Sequence, residues 1–190
     1  MQRFDLSQIA PSPWKNGGGS TREIACFPHG AAMDQFGWRI SVATIAQAGP
    51  FSAFPGIDRQ IMLLDGDGVQ LTAAQAGIDH ALDQRWQPFT FSGDVALDCQ
   101  MLGGTSTDFN VMTRRGQWAA QVEIINTATT TGPSAAGLVM VLSGTWKLAD
   151  GSTLAPHQGL YWQASESTLT LTPMGADARL VQVTLTATVA

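Results

Sequence analysis

Short apolar runs separated by glycine turns recur along the chain. Residues 61–72 read Ile-Met-Leu-Leu-Asp-Gly-Asp-Gly-Val-Gln-Leu-Thr, and residues 138–148 read Leu-Val-Met-Val-Leu-Ser-Gly-Thr-Trp-Lys-Leu. Each stretch can form one strand on either side of a turn, because glycine adopts the backbone angles that tight turns require. Many short strands connected in this way are typical of antiparallel sandwiches and jelly rolls. The pattern predicts an all-β protein, and the similarity of the two stretches predicts two related halves, each a small barrel.

Alternation of apolar and polar residues is clearest in residues 36–45 and 59–64. Side chains of a strand alternate between its two faces, so Trp38 and Arg39 point to opposite sides of the first strand. Arg59 shares its face of the second strand with apolar residues, which favours an inward orientation for Arg59. Periodicity alone leaves open which face of the first strand is the inner one.

Glycine and polar residues predict the connections between strands. Residues 65–68 read Asp-Gly-Asp-Gly and predict a tight hairpin, and Ser-Gly-Asp at 92–94 predicts a turn that returns residues 95–102 as a strand. Residues 73–87 have no clear period and fit a short helix or an irregular loop. Gly-Gly-Thr-Ser at 103–106 predicts a boundary between the two halves.

The charge balance excludes several classes of partner. The 190 residues carry a net charge of −5, which argues against nucleic acid and against an anionic membrane surface as partners. No apolar run reaches the roughly 18 residues of a transmembrane helix, and the N-terminus lacks the apolar core of a signal peptide. Two cysteines make no disulfide framework, so we expect a cytoplasmic protein.

Residues 13–24 combine turn chemistry with charge in the order Pro-Trp-Lys-Asn-Gly-Gly-Gly-Ser-Thr-Arg-Glu-Ile. Asn16 followed by glycine is a strong turn signal, and the three glycines let the backbone approach another group closely. Trp14 offers a rigid apolar face, while Lys15 and Arg22 supply positive charge. Two interpretations remain: the wall of a binding pocket, or a hairpin loop whose charges point into water.

Several motifs in a fixed order resemble the HutD/Ves family of bicupins. They are Pro13 to Gly19 with Thr21 to Ile24, Trp38 to Ser41 with Ala43, Gly49 to Gly56, Asp58 with Arg59, Phe91 to Asp94, and Leu102 to Gly104 with Asp108 to Met112. The resemblance spans roughly residues 1–125, and the last third of the chain matches only a generic cupin half.

The resemblance implies a fold, a ligand and a role. It implies two cupin-type β-barrels in one chain, which we place at residues 1–105 and 106–190, with exchange of strands between the halves. It also implies a cytoplasmic bacterial protein that binds a small carboxylate of histidine degradation, N-formylglutamate or urocanate, and moderates the output of that pathway. A homodimer is a further expectation, because bicupins often dimerise.

The resemblance also raises the question of a metal, because most cupins hold one. A cupin site typically uses two histidines one residue apart, a glutamate and a third histidine, a set that suits a divalent metal. This chain has only His29, His80 and His157, and none is near another in sequence. We therefore predict a bicupin without a metal or another cofactor.

Arginine accounts for eight of the ten cations. Its planar fork grips a carboxylate in bidentate fashion, although GC-rich codon usage would produce the same bias. Arg22, Arg39, Arg59 and Arg114 lie in the family motifs, and each would bind a ligand carboxylate if it faced a barrel interior. On an outer face the same arginines would be solvated.

Neighbouring residues complete the predicted pocket. Arg114 shares a face with Asn110 and Met112 in an extended strand, and Glu23 and Asp108 are predicted to hold the arginines in position. Asn16, Ser41 and Asn110 are assigned to a formyl or amide group of the ligand, and Trp14 and Phe51 to closing the pocket. The predicted ligand-binding set is Trp14, Lys15, Asn16, Arg22, Glu23, Arg39, Ser41, Phe51, Arg59, Asn110, Met112 and Arg114.

Three functional classes compete. The favoured class is a non-catalytic module that sequesters or senses a small anionic metabolite. The alternative is an enzyme acting on such a metabolite, with Glu23 or Asp108 as general base near Lys15 or Arg22. A carboxylate among cations usually has a lowered pKa and is then a poor base near neutral pH. The third class is a protein-interaction regulator with a vestigial pocket.

Overall fold

A computed structural model describes residues 1–132, 134–165 and 168–188. Within these ranges the only helical elements are two short 3-10 turns, Leu6–Gln8 and Ala74–Ala76, and no helix is long and apolar enough to cross a membrane. The prediction of an all-β protein is confirmed. The strands are β1 Gln2–Asp5, β2 Ser12–Pro13, β3 Gly19–Phe27, β4 Trp38–Ile45, β5 Gly49–Phe51, β6 Ile57–Asp65, β7 Val69–Ala73, β8 Ile78–Leu82, β9 Phe89–Ser92, β10 Leu97–Met101, β11 Ser106–Arg114, β12 Trp118–Ile125, β13 Thr129–Thr131, β14 Ser134–Ser143, β15 Trp146–Leu148, β16 Thr153–Leu154, β17 Gln158–Ser165, β18 Leu169–Pro173 and β19 Arg179–Ala187.

The chain divides into two compact units. The first unit is Ala10–Gln117, and the second unit runs from Trp118 onward and includes Met1–Ile9. The division predicted from the sequence lies after residue 105. In the structure β11 pairs with β4 and β6, so it belongs to the first unit, whereas β1 pairs with β17 of the second unit.

The two units share one strand order. The first unit consists of a six-stranded sheet, β2-β3-β4-β11-β6-β9, and a four-stranded sheet, β5-β10-β7-β8. The second unit consists of a five-stranded sheet, β1-β17-β14-β19-β12, and a four-stranded sheet, β13-β18-β15-β16. The run β4-β11-β6-β9 therefore corresponds to β12-β19-β14-β17, and β5-β10-β7-β8 corresponds to β13-β18-β15-β16. The repeat visible in the sequence reflects this shared topology.

The glycine turns predicted as hairpins are corners between sheets. Residues 65–68 join β6 to β7, but β6 pairs with β11 and β9 whereas β7 pairs with β10 and β8. Gly66 has a φ of +97°, and a Cβ at this position would lie 2.2 Å from the carbonyl oxygen of Thr105. Residues 92–94 and 143–144 likewise join strands of different sheets. Hairpins and corners both need glycine, so the pattern did not distinguish them.

The prediction of a short helix or irregular loop at residues 73–87 is only partly right. The segment contains the 3-10 turn and then β8, the edge strand of its sheet. β8 reads Ile-Asp-His-Ala-Leu, and only Leu82 at its end is buried. An edge strand with one buried residue lacks the alternation by which the other strands were recognised.

Each unit has a core of its own, and the two cores differ at equivalent positions. In the first unit Arg59 of β6 lies opposite Phe91 of β9. In the second unit Gly137 of β14 lies opposite Trp162 of β17, and a Cβ at Gly137 would lie 2.3 Å from the Trp162 ring. The indole of Trp162 thus occupies the space beside Gly137 and belongs to the apolar core of the second unit.

Candidate ligand-binding site

The first unit contains a cavity of about 500 Å³. Its floor consists of alternate residues of β4 and β11 together with Arg59 of β6. Its walls come from residues 12–16, Thr21, residues 50–54 and the loop that carries Met33. The lining residues are Ser12, Pro13, Trp14, Lys15, Asn16, Thr21, Met33, Arg39, Ser41, Ala43, Ile45, Pro50, Phe51, Ser52, Phe54, Arg59, Asn110 and Met112.

Strand register arranges the cavity floor in rows. Met112 of β11 lies between Arg39 of β4 and Arg59 of β6, and Asn110 lies opposite Ser41 in the next row. The polar face of β4 is therefore the inner face of the first unit's cavity, which the alternation of the sequence had left open. The inward orientation predicted for Arg59 agrees with its place on the floor.

Arg59 is a buried cation without a carboxylate partner. Only 7% of the residue is exposed, and its Nη2 donates to Asn110 Oδ1 at 3.1 Å. Its Nε has no hydrogen-bond partner, and Arg59 takes part in no ion pair within the described part of the chain. Burial, together with the nearby charge of Arg39, lowers the pKa of Arg59 to about 10, so the guanidinium remains protonated at neutral pH.

Three phenylalanines surround the Arg59 guanidinium. Its Cζ lies 4.9 Å from the ring centre of Phe91, 5.4 Å from that of Phe54 and 5.8 Å from that of Phe51. A cation over an aromatic face gains roughly 0.5–2 kcal/mol. These contacts stabilise the cation through the faces of the guanidinium, so they do not occupy its in-plane N–H edge, which is the edge that a carboxylate binds.

Arg39, in contrast, is already paired. Its Nε donates to Glu23 Oε2 at 2.6 Å, with 12% of the Arg39 side chain and 41% of the Glu23 side chain exposed. Glu23 lies outside the cavity lining, so its contact with Arg39 matches the predicted positioning role. The lining residues include three cations, Lys15, Arg39 and Arg59, and no carboxylate.

The glycine-rich segment forms one wall of the cavity. Asn16 Oδ1 accepts a hydrogen bond from the Gly18 backbone N–H at 3.0 Å, and Trp14 Nε1 donates to Thr21 Oγ1 at 2.8 Å. A Cβ at Gly19 would lie 2.2 Å from a backbone oxygen of β4 and 3.0 Å from the Trp14 ring. Glycine is therefore required where this segment packs on the strand. Of the two interpretations of the segment, the structure supports the pocket wall.

Trp14 and Phe51 together form an aromatic part of the cavity wall. Trp14 meets Phe51 edge to face, with ring centres 6.5 Å apart. Phe51 also contacts the Arg59 guanidinium. The two rings therefore connect the glycine-rich wall to the buried cation.

Three predicted site residues lie outside the cavity lining: Arg22, Glu23 and Arg114. Arg22 follows the lining residue Thr21 on β3, so it points to the opposite face of the sheet. Arg114 donates to the carbonyl oxygens of Phe36 at 3.0 Å and Asp34 at 2.8 Å. Alternation correctly predicts the face of β11 on which Arg114 lies. Because Arg114 is at the end of the strand, however, its guanidinium binds the neighbouring loop and not the cavity.

The predicted positioning role of Asp108 has no support in the structure. Asp108 is completely buried, neither carboxyl oxygen has a hydrogen-bond partner, and it forms no ion pair with an arginine in the described ranges. Desolvation raises the pKa of Asp108 to about 7. The residue lies on β11 next to the floor but is not part of the lining.

Several lining residues were missed in the sequence. Ala43 and Ile45 follow from the alternation that places Arg39 and Ser41 inward, once the inner face is known. Phe54 lies in the motif from Gly49 to Gly56, in which only Phe51 has a predicted role. Pro13, Thr21, Pro50 and Ser52 lie in the family motifs without a predicted role. No sequence signal indicates Ser12 or Met33.

The described residues do not fit the metal that most cupins hold. Nowhere in these ranges do three or more histidines, cysteines, aspartates or glutamates form a group that could bind a metal ion.

Comparison with known proteins identifies the family. The HutD family model matches residues 6–180. The chain is 42% identical to Protein Ves of Cronobacter sakazakii, covering 90% of this chain and 92% of that protein, and 43% identical to Protein Ves of Citrobacter koseri, covering 90% and 87%. The chain belongs to the HutD family. The resemblance recognised in the sequence is thereby confirmed.

Solved structures agree with the family assignment and also indicate the fold. HutD from Pseudomonas fluorescens SBW25 superimposes with a TM-score of 0.85 at 28% identity, covering 98% of both chains. A conserved protein of unknown function from Pseudomonas aeruginosa PAO1 gives 0.84 at 30% identity, covering 97% and 98%. A cupin 2 conserved barrel domain protein from Leptotrichia buccalis gives 0.61 at 10% identity, covering 96% and 95%. This last similarity concerns the fold alone, which is cupin-like.

Proposed function

We propose that this HutD-family protein is a bicupin that binds one small carboxylate metabolite in the cavity of its first unit. The metabolite belongs to histidine degradation, either N-formylglutamate or urocanate, and its binding moderates the output of that pathway in the cytoplasm. No metal or cofactor takes part. The observation that carries this proposal is the buried Arg59 guanidinium, which lines the cavity without a carboxylate partner.

The energetics of Arg59 support an anionic ligand. Burying a charge without a partner is costly, and a paired, hydrogen-bonded partner offsets that cost. A ligand carboxylate in the plane of the guanidinium would supply both the charge and the acceptors. Asn110 already occupies one donor of Arg59 and thereby holds the guanidinium at the floor, ready for the ligand.

The bicupin assignment is supported by the internal symmetry of the chain. Both units contain the same order of eight strands in two sheets. The cupin-like fold of the more distant solved structures is consistent with two cupin halves. The five- and six-stranded sheets each carry additional strands at the edge, β1 in one unit and β2-β3 in the other.

The composition of the lining supports binding over catalysis. The lining includes no carboxylate, histidine or cysteine, the residue types that most often serve as general base or nucleophile. Glu23 is held by Arg39 outside the lining, and Asp108 is buried beyond it. The two carboxylates considered as general bases are therefore not among the residues that line the cavity.

The test is isothermal titration of the purified protein with N-formylglutamate and with urocanate. One of them should bind saturably, and Arg59→Met should weaken it about 30-fold or more, because truncating one partner of a buried charge pair costs roughly 2–5 kcal/mol. Arg59→Met keeps an apolar side chain of similar length between the phenylalanines. It removes an unpaired buried charge, so its thermal unfolding should show a folded protein.

Arg85→Gln is the matched control, because Arg85 is an exposed arginine of the same unit that pairs with Asp65. Its affinity for the metabolite should equal that of the wild type. Failure of both metabolites to bind the wild type would contradict the proposal, and so would unchanged binding by folded Arg59→Met.

A further inference from the structure

Residues 28–37 form the loop between β3 and β4, and this loop carries Met33 of the cavity lining. The turn around Met33 is closed by a hydrogen bond from the Gln35 N–H to the Ala32 carbonyl oxygen at 2.9 Å. Met33 itself is 47% exposed. Its place in the cavity wall therefore depends on how this turn is held against the rest of the first unit.

Arg114 of β11 holds the loop on the side that follows Met33. Its Nη2 donates to the carbonyl oxygen of Asp34 at 2.8 Å, and its Nε donates to that of Phe36 at 3.0 Å. The main-chain N–H of Arg114 donates to the carbonyl oxygen of Gly37 at 2.7 Å. Because Asp34 directly follows Met33, the guanidinium fixes the backbone next to the wall residue.

The loop stands at the end of the cavity that contains Arg59. Phe36 is buried in one apolar cluster with Met112, and Phe54 packs against that cluster. Met112 is the floor residue beside Arg59 in the strand register, and the Phe54 ring contacts the Arg59 guanidinium. Met33 therefore adds an apolar side chain to the end of the cavity where the carboxylate is proposed to bind.

An apolar wall at this end favours the contact between Arg59 and a carboxylate. Water beside the guanidinium would compete for its N–H edge and would screen its charge, whereas attraction between opposite charges is stronger where water is excluded. Methionine suits such a wall, because its unbranched side chain adapts to the shape of the group that it contacts.

We infer that Arg114 is a positioning residue of the carboxylate site, which acts through the loop by holding Met33 against the bound ligand. This inference rests on the proposed function and assigns a role to an arginine that lies outside the cavity lining. Strand β11 then has two tasks: Asn110 and Met112 form part of the floor, and Arg114 supports the wall above it.

Isothermal titration of the full chain with N-formylglutamate and with urocanate tests the inference. Met33→Ala should weaken binding about fivefold, because the ligand loses apolar contact and water enters beside Arg59. Arg114→Lys should weaken binding by about the same factor, because a lysine ammonium group lacks the fixed fork that spans both loop carbonyls. The double variant should bind about as well as either single variant, because both substitutions remove the same contact.

Arg179→Lys is the matched control. Arg179 holds a loop of the second unit in the same way, since its Nη1 donates to the carbonyl oxygens of Ala176 at 3.0 Å and Ala178 at 2.9 Å. This variant should bind the metabolite like the wild type. Hydrogen–deuterium exchange of free Arg114→Lys should be faster than wild type in residues 28–37 and unchanged in β6, as expected for a folded protein with a loosened loop.

The outcomes separate this inference from the function on which it rests. If neither metabolite binds the wild type, or if Arg59→Met binds like the wild type, the carboxylate site is wrong and the positioning role fails with it. If binding depends on Arg59 but Arg114→Lys or Met33→Ala binds like the wild type, the site stands and the positioning role is overturned. Losses that add in the double variant would also overturn it, because Arg114 would then act independently of Met33.

Discussion

The carboxyl group of Asp108 lies in the interior of the first unit without a hydrogen-bond donor. At the equivalent position of the second unit, opposite Ile125 of β12 and Val141 of β14, the chain has Leu180. An apolar residue therefore suits this place in the fold. Burial favours the neutral acid and raises the pKa of Asp108 from 3.8 to about 7.

This raised pKa predicts a pH-dependent stability. Between about pH 4 and pH 7 the folded protein holds a proton on Asp108 that the unfolded chain has lost, so the stabilising contribution present at low pH disappears as the pH rises toward 7. Wild type should therefore lose stability relative to Asp108→Asn over this range. The difference should reach a few kcal/mol, since one pKa unit corresponds to about 1.4 kcal/mol.

Urea unfolding of both proteins at several pH values measures this difference. Asp98→Asn serves as control, because Asp98 is an exposed aspartate of the same unit, and it should leave the pH profile unchanged. Parallel profiles for wild type and Asp108→Asn would contradict the prediction.

The arginines show which side-chain orientations the sequence predicts and which it does not. The apolar neighbours of Arg59 on its face of the strand predict an inward orientation, and Arg59 lines the cavity. Arg39 was ambiguous, since alternation defines two faces but not which one is inside. Arg114 was placed on the correct face, but its side chain is long enough to reach the carbonyls of Phe36 and Asp34 instead. Side-chain reach depends on the neighbouring loop, and alternation carries no information about that loop.

Glycine corners determine how the strands are distributed between sheets. At Gly66 the chain leaves the six-stranded sheet for the four-stranded one, and the backbone passes close to Thr105 as it does so. Gly144 makes the equivalent corner between β14 and β15. Most strands were predictable from alternation, whereas the sheet to which each belongs depends on contacts between distant segments.

Gly66→Ala should destabilise the protein by about 2 kcal/mol or more, because it combines an unfavourable φ with a clash against backbone. Gly77→Ala is the matched control. Gly77 has a φ of +66°, but a Cβ there would have no atom within 4 Å, so this variant should lose only about 1 kcal/mol. Urea unfolding measures both, and equal losses would show that the close approach at Gly66 costs nothing.

At the scale of the whole molecule, the two units use one topology for different interiors. The duplicated pattern of residues 61–72 and 138–148 was sufficient to predict two related halves. It was not sufficient to predict how the interiors of the two halves would differ. That difference depends on single positions, such as Arg59 in one unit and Gly137 in the other. The residue opposite each of them on the neighbouring strand determines how much room its side chain has.

The proposed ligand should therefore protect the two units unequally. In hydrogen–deuterium exchange with short labelling times, saturating metabolite should slow exchange in β4, β6 and β11, which form the cavity floor. Their counterparts β12, β14 and β19 should change little, because Trp162 already fills the space beside Gly137. Equal protection of both sets of strands would place the ligand elsewhere.

The exchange of an arginine–phenylalanine pair for a glycine–tryptophan pair also bears on the history of the chain. Tandem duplication of a gene leaves two copies of one fold, and only one of them must keep the ancestral task. In the copy with Trp162, the indole occupies the space beside Gly137, at the position where the first unit has Arg59. Sequence drift in that copy is then limited by packing, whereas drift in the other is limited by the molecule it must recognise.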